Sequence, residues 1–208
     1  MKLKTYAPLI LTSLLLIFFI GCDSQNKSEQ NQLDTKETLA QLDVLLGQLE
    51  KLEVTGCKNI DGIVIINEKI RGLIENIRTS KKFDNLVDTF NKNQHRIDLV
   101  VSEDEQFAIF SWETKMDCLG NQIKNIALYK TNEKVRVSSL YGTPMLYREI
   151  SQTELNHQMY YILGGNTAEN TSKVTQKIYK ITNGYIEEAQ IPLQELSYNK
   201  KSLITFDE

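Results

Sequence analysis

The apolar residues of this chain change their period once, near His95, and that change limits the fold more than any other feature. Before it they recur every three or four positions. After it they recur every second position. The first spacing gathers side chains on one face of a helix, and the second on one face of a strand. Helices grouped ahead of strands, rather than alternating with them, point to an α+β fold.

In the first third, Asp34 and Glu37 have the spacing of a capping box, and Leu39, Leu42, Leu46, Leu49 and Leu52 follow in steps of three and four. This predicts an amphipathic helix of about 18 residues. The stripe is too short for a sustained coiled-coil seam, so it reads as a core face, a seam for a partner helix being the alternative. A second helix is expected from about Gly62 to Thr79 on Ile63, Ile66, Ile70, Leu73, Ile74 and Ile77, although Ile63-Val64-Ile65-Ile66 would also suit a short strand. Phe83, Leu86, Val87 and Phe90 predict a third, short helix that ends in the polar run Asn91 to Gln94.

Beyond His95 the alternation begins with Ile97, Leu99 and Val101. Ser102-Glu103-Asp104-Glu105 is a polar turn, and a second strand follows in which Phe107 and Ile109 oppose Ala108, Phe110 and Trp112. Both of its faces are apolar, so this strand is expected to be central, covered on one side by the first or second helix, with Trp112 buried. Further strands are expected at Gln122 to Lys130, Lys134 to Tyr141, Met145 to Ile150, Gln158 to Leu163, Val174 to Thr182 and Ser202 to Phe206. Thr131-Asn132, Gly142-Thr143-Pro144, Gly164-Gly165-Asn166 and Asn183-Gly184 read as the turns between them. Connections this short exclude parallel crossovers. The expected architecture is therefore a C-terminal antiparallel meander of about six to eight strands, packed on N-terminal helices.

The N-terminus carries a different message. Lys2 and Lys4 precede Ala7 to Ile20, a nearly unbroken apolar stretch, and Gly21 leads into Cys22. The stretch is shorter than the ~20 residues a spanning helix needs and suits the h-region of a signal. It looks like a bacterial lipoprotein signal peptide, an ordinary secretory signal with a chance cysteine being the alternative. The resemblance implies cleavage before Cys22, a diacylglyceryl group on its thiol and an acyl chain on its amine. At ~0.8 kcal/mol per buried CH₂, such an anchor would be effectively permanent. The expected location is the cell envelope, at the periplasmic face of the outer membrane or the cell surface; Asp23 would imply inner-membrane retention in enteric bacteria alone, and the leaflet stays open. The expected organisation is a signal over residues 1–21, a polar flexible tether over 22–33, and one α+β domain over 34–208, helical over 34–94 and sheet over 95–208.

Removing Lys2 and Lys4 with the signal takes 24 basic residues to 22, against 27 acidic ones, for a net charge of −5. That balance gives no electrostatic case for nucleic acid. Two His and three Cys assemble no familiar zinc or iron–sulfur set, so no metal or cofactor is expected. With Cys22 acylated, Cys57 and Cys118 remain, and in an oxidising compartment they are expected to form a disulfide, two free thiols being the alternative. His95 and His157 lie in no nucleophile motif and suit structural roles. Glu103, Asp104 and Glu105, with Asp117, could hold Ca²⁺, but they lack the loop spacing of a calcium site, and a charged hairpin turn explains them. Gly164-Gly165-Asn166 is read as a turn and not a phosphate loop. Tyr141, Tyr147, Tyr160, Tyr161, Tyr179, Tyr185 and Tyr198 lie on or between the strands. They suit cross-strand stabilisation, with a glycan- or protein-binding face as the alternative. No residue stands out as catalytic.

The run Ser102 to Thr114 (SEDEQFAIFSWET), followed by Asn125 to Lys130 (NIALYK), resembles uncharacterised envelope lipoproteins of Bacteroidota-type bacteria. Those proteins carry an S-x-D-x-x-F-x-I-x-S-W-[DE]-T strand pair after a helical N-terminus. The resemblance covers roughly residues 85 to 206. It implies an envelope location and the same order of helices and sheet, with no activity attached. The functional expectation is a lipid-anchored, non-catalytic binding or accessory module whose partners are the membrane and an envelope protein or glycan. The alternatives are an envelope hydrolase with carboxylates assembled by the fold, and a periplasmic inhibitor or immunity-type protein.

Overall fold

A computed structural model describes residues 24–53, 56–132, 134–167 and 174–197. Among these described residues three helices come first: α1 (Ser24–Lys51), α2 (Ile60–Glu75) and α3 (Ser80–Thr89). Eight strands follow, β1 (Asp98–Val101), β2 (Phe107–Met116), β3 (Asn121–Thr131), β4 (Lys134–Ser139), β5 (Met145–Leu155), β6 (Gln158–Thr167), β7 (Val174–Thr182) and β8 (Tyr185–Glu188), then a short α4 (Leu193–Ser197). The fold is α+β, with the N-terminal helices laid on antiparallel sheet.

Leu39, Leu42, Leu46 and Leu49 form the buried stripe of α1, as their spacing predicts. The helix itself begins at Ser24, so the segment expected as a flexible tether is helical backbone from that residue on. Ser24 to Leu33 contains neither Gly nor Pro, and extending an existing helix costs far less than nucleating one. In α2 the β-branched run is helical, with Ile63, Asn67, Ile70 and Ile74 facing the core. It stops four residues short of Thr79, where the Ile77 N–H bonds the Ile74 carbonyl at 3.1 Å in a tightened i→i−3 turn. Thr79 instead caps α3, its hydroxyl accepting from the Lys82 N–H at 3.3 Å.

The eight strands form two sheets of four, ordered β1-β2-β3-β4 and β5-β6-β7-β8, rather than one continuous meander. Strand β2 sits inside the first sheet, with Phe110 opposite Leu99 on one side and Ile126 on the other. Its alternation sorts the core into two layers. Ala108, Phe110 and Trp112 join the helix stripes in one cluster. Phe107 and Ile109 join Met145, Tyr147, Tyr161, Leu163 and Tyr179 in a second cluster between the sheets. The molecule thus stacks helices, first sheet and second sheet, and β2 is covered on both faces. Each such apolar side chain contributes roughly 1.5–3 kcal/mol by leaving water.

The second sheet departs from the sequence reading in three places. Gly164, Gly165 and Asn166 lie within β6 and do not form a turn. A Cβ on Gly165 would stand 2.4 Å from the Leu146 carbonyl oxygen, and one on Gly164 would meet the Glu149 side chain. The register shifts between Tyr147 and Glu149 directly opposite, so the glycines admit a bulge in β5 rather than a reversal of the chain. Strand β6 instead runs through them to Thr167 before the chain returns as β7, and Asn156 and His157, whose φ values of 51° and 61° are those of a tight hairpin, turn β5 into β6. Strand β8, after the expected Asn183-Gly184 turn, is an element the alternation did not single out. The strand expected over Ser202 to Phe206 lies outside the described residues, as does the signal segment.

Candidate functional site

Cys57 and Cys118 are joined in a disulfide with their Cα atoms 5.6 Å apart. It ties the α1–α2 connection to a 3₁₀ turn (Asp117–Leu119) that follows β2. Both cysteines are exposed, so the bridge sits on the surface at one end of the stack.

Beside that bridge the two sheets part and leave an open mouth of about 400 Å³. Strand β2 supplies Glu113 and Lys115, the 3₁₀ turn Asp117, β3 Gln122 and Ile123, β5 Leu146 and Arg148, and β6 Asn166 and Thr167. A smaller hollow of about 200 Å³ continues it toward α1, floored by Leu46, Leu49 and Trp112. The cations here are already engaged. Arg148 donates to Asp98 at 2.9 Å, Arg96 pairs with Glu50, and Lys115 Nζ donates to the Glu50 and Leu52 carbonyls at 2.6 and 3.1 Å. The lysine thereby closes the C-terminal end of α1, whose last carbonyls have no partner within the helix. Glu113, Asp117 and Gln122 remain exposed. The mouth therefore offers carboxylate and amide acceptors beside an apolar wall of Ile123 and Leu146, a surface suited to holding a hydroxyl- or amine-bearing ligand.

Its floor is held by a polar junction that the sequence did not single out. Asn67 is 4% exposed. Its Nδ2 donates to the carbonyls of Ile63 at 2.8 Å and Thr114 at 2.9 Å, and its Oδ1 accepts from Trp112 Nε1 at 2.8 Å. One side chain of α2 thus fixes the end of β2 and the indole beneath the hollow. A polar residue at a core position of the helix stripe is the signal that could have revealed it. A second junction joins the sheets: the Ser111 hydroxyl donates to Asn125 Oδ1 at 2.6 Å, and Asn125 Nδ2 donates to the Met145 carbonyl at 2.9 Å.

The other residues singled out by sequence fall into structural settings. His95 Nδ1 lies 2.8 Å from Asp43 Oδ2, and its ring stacks on Phe90. His157 is fully exposed in the β5–β6 hairpin, 3.7 Å from Glu154. Asp104 organises the β1–β2 turn: its Oδ1 accepts from the Ser102 hydroxyl at 2.6 Å and the Gln106 N–H at 3.0 Å, and its Oδ2 accepts from Tyr161 OH at 3.1 Å. Asp117 lies apart from that turn, in the mouth. Among the described residues no three His, Cys, Asp or Glu converge as metal ligands, and no helix is long and apolar enough to cross a membrane. Tyr147, Tyr161 and Tyr179 are buried, Tyr141 and Tyr185 are exposed, and Tyr198, like Cys22, lies outside the described residues. Burial, more than any neighbouring charge, pushes the three buried phenols above their ordinary value of 10.0, Tyr147 and Tyr161 well above it. No protein-family model, no curated protein and no solved structure matches this chain.

Proposed function

We propose that the chain is a lipid-anchored envelope protein, held to the membrane through Cys22, that binds an envelope protein or a glycan at the mouth between its sheets. The Cys57–Cys118 bridge carries this reading. Disulfides persist in oxidising compartments, and this one belongs to a chain that opens with a basic, apolar, Gly-Cys leader. The binding role draws on the exposed Glu113, Asp117 and Gln122 beside Ile123 and Leu146, all on rigid strand ends or next to the bridge.

Two measurements test the two halves. Labelling cells with an alkyne fatty acid should mark the wild-type protein and not Cys22→Ser; equal labelling of both removes the anchor. Crosslinking in intact envelope should capture one reproducible partner, and Glu113→Lys combined with Gln122→Glu should abolish its capture. Unchanged capture by that variant places the binding surface elsewhere.

A further inference from the structure

The outer face of the helical layer carries an apolar groove of about 610 Å³ between α1 and α2. Ala40 and Gly72 keep it open to close approach, and Val44, Leu45 and Leu73 line it. Val44 is 60% exposed, and Ile65, one turn before Lys69 on α2, is 56% exposed. Two helices joined by a short connection run antiparallel, so Glu37 on α1 and Lys69 on α2 mark opposite corners of the groove. Eight residues separate Glu37 from Leu45, opposite Lys69, which is about 12 Å of helix rise. Both charges are exposed; Glu37 accepts only a Gln41 amide at 3.1 Å, and Lys69 has no ion-pair partner among the described residues.

We propose that this groove is a self-association surface, occupied by the same groove of a second copy of the chain. A two-fold axis lying in the interface along the other diagonal exchanges the charged corners. Each Glu37 then meets the partner subunit's Lys69, while Val44 and Leu73 close over their counterparts. The small residues at positions 40 and 72 let the crossing helices approach. The face is modest: α2 is about 24 Å long and two helices are about 20 Å across, giving roughly 1,000 Å² over both copies. That is the lower bound for a specific interface, so the dimer is concentration-dependent. This inference does not depend on the lipid anchor or on the mouth between the sheets.

The test uses the full chain in detergent micelles, as a mixture of ¹⁴N- and ¹⁵N-labelled protein treated with a zero-length carbodiimide. A mixed-isotope peptide joining Glu37 to Lys69 is expected, together with a mass that doubles with concentration in light scattering. Val44→Glu should abolish the dimer. Glu37→Lys should weaken it about tenfold by setting two like-charge pairs against each other, and adding Lys69→Glu should restore it to within about threefold. A chain that stays monomeric at all concentrations overturns the proposal. So does a dimer indifferent to Val44→Glu, or one that the double charge exchange fails to rescue.

Discussion

Replacing Asn67 with Leu tests the junction between α2 and β2 most directly. The substitution keeps the side chain's length and removes three hydrogen bonds. The Ile63 carbonyl retains its helical partner. The Trp112 indole N–H, in a residue only 3% exposed, is left without an acceptor, and the Thr114 carbonyl loses a donor where the β2–β3 register breaks. An orphaned buried donor costs about 1–3 kcal/mol and a lost ordinary hydrogen bond about 0.5–1.5, so the expected loss is about 2–4 kcal/mol. For a domain of this size that lowers the midpoint by roughly 4–16 °C. Urea denaturation followed by far-UV circular dichroism measures the free-energy loss, and a thermal scan with the same signal the midpoint. Trp112→Phe removes the donor instead, and the double variant removes donor and acceptor together. If the pair is real, the double variant loses less than the sum of the single losses, by about 1–3 kcal/mol. Additivity within about 0.5 kcal/mol would refute the junction. Trp112→Ala, which also empties the space over α2, should cost about 3–5 kcal/mol; an unchanged midpoint would make the indole a surface platform instead.

Three further outcomes are expected. Breaking the bridge as Cys57→Ser with Cys118→Ser should cost about 4 kcal/mol in the chain-entropy account of a 61-residue separation, and alkylation of the native protein should add two labels only after reduction; full labelling without reductant would show free thiols. Gly165→Ala should destabilise by at least about 1–3 kcal/mol, because its Cβ meets the backbone of Leu146 rather than a mobile side chain; a neutral result would contradict the close approach of β5 and β6 at the bulge. Stability should fall as pH climbs above about 10, where tyrosines of the unfolded chain release protons that Tyr147, Tyr161 and Tyr179 keep in the fold. Ultraviolet titration should therefore show these three ionising only with unfolding, and a full tyrosinate signal from native protein would count against their burial.

Periodicity made the layers legible where one physical demand acted on a segment. The leucines of α1 answer only to the core, and so their spacing names both the helix and its buried face. Strand β2 was legible for the opposite reason: apolar residues at both parities can be satisfied only by cover on both sides, and the helices and the second sheet provide it. Reading failed where two demands competed. Gly164 and Gly165 carry the composition of a turn, yet their missing side chains serve the close passage of a bulged neighbour, a long-range contact that leaves no local trace. The extent of α1 was missed because Ser24 to Leu33 has no apolar stripe to follow, and helical backbone there needs only continuity with the packed turns.

The mouth between the sheets was illegible for a related reason. Its residues come from five separate elements, and no two of its exposed acceptors share a motif. What brings them together is the disulfide and the Asn67 and Lys115 contacts, each of which anchors one chain end to another across more than forty positions. The mouth is tied together at these contacts and faces solvent at Glu113, Asp117 and Gln122. Substitution of the exposed Glu113 or Gln122 therefore probes the proposed binding without touching the fold, whereas substitution of Asn67 or Lys115 alters the fold first. That separation lets binding and stability be measured on different variants, and a variant at Glu113 that unfolds the protein would show that the mouth is part of its frame rather than a surface it presents.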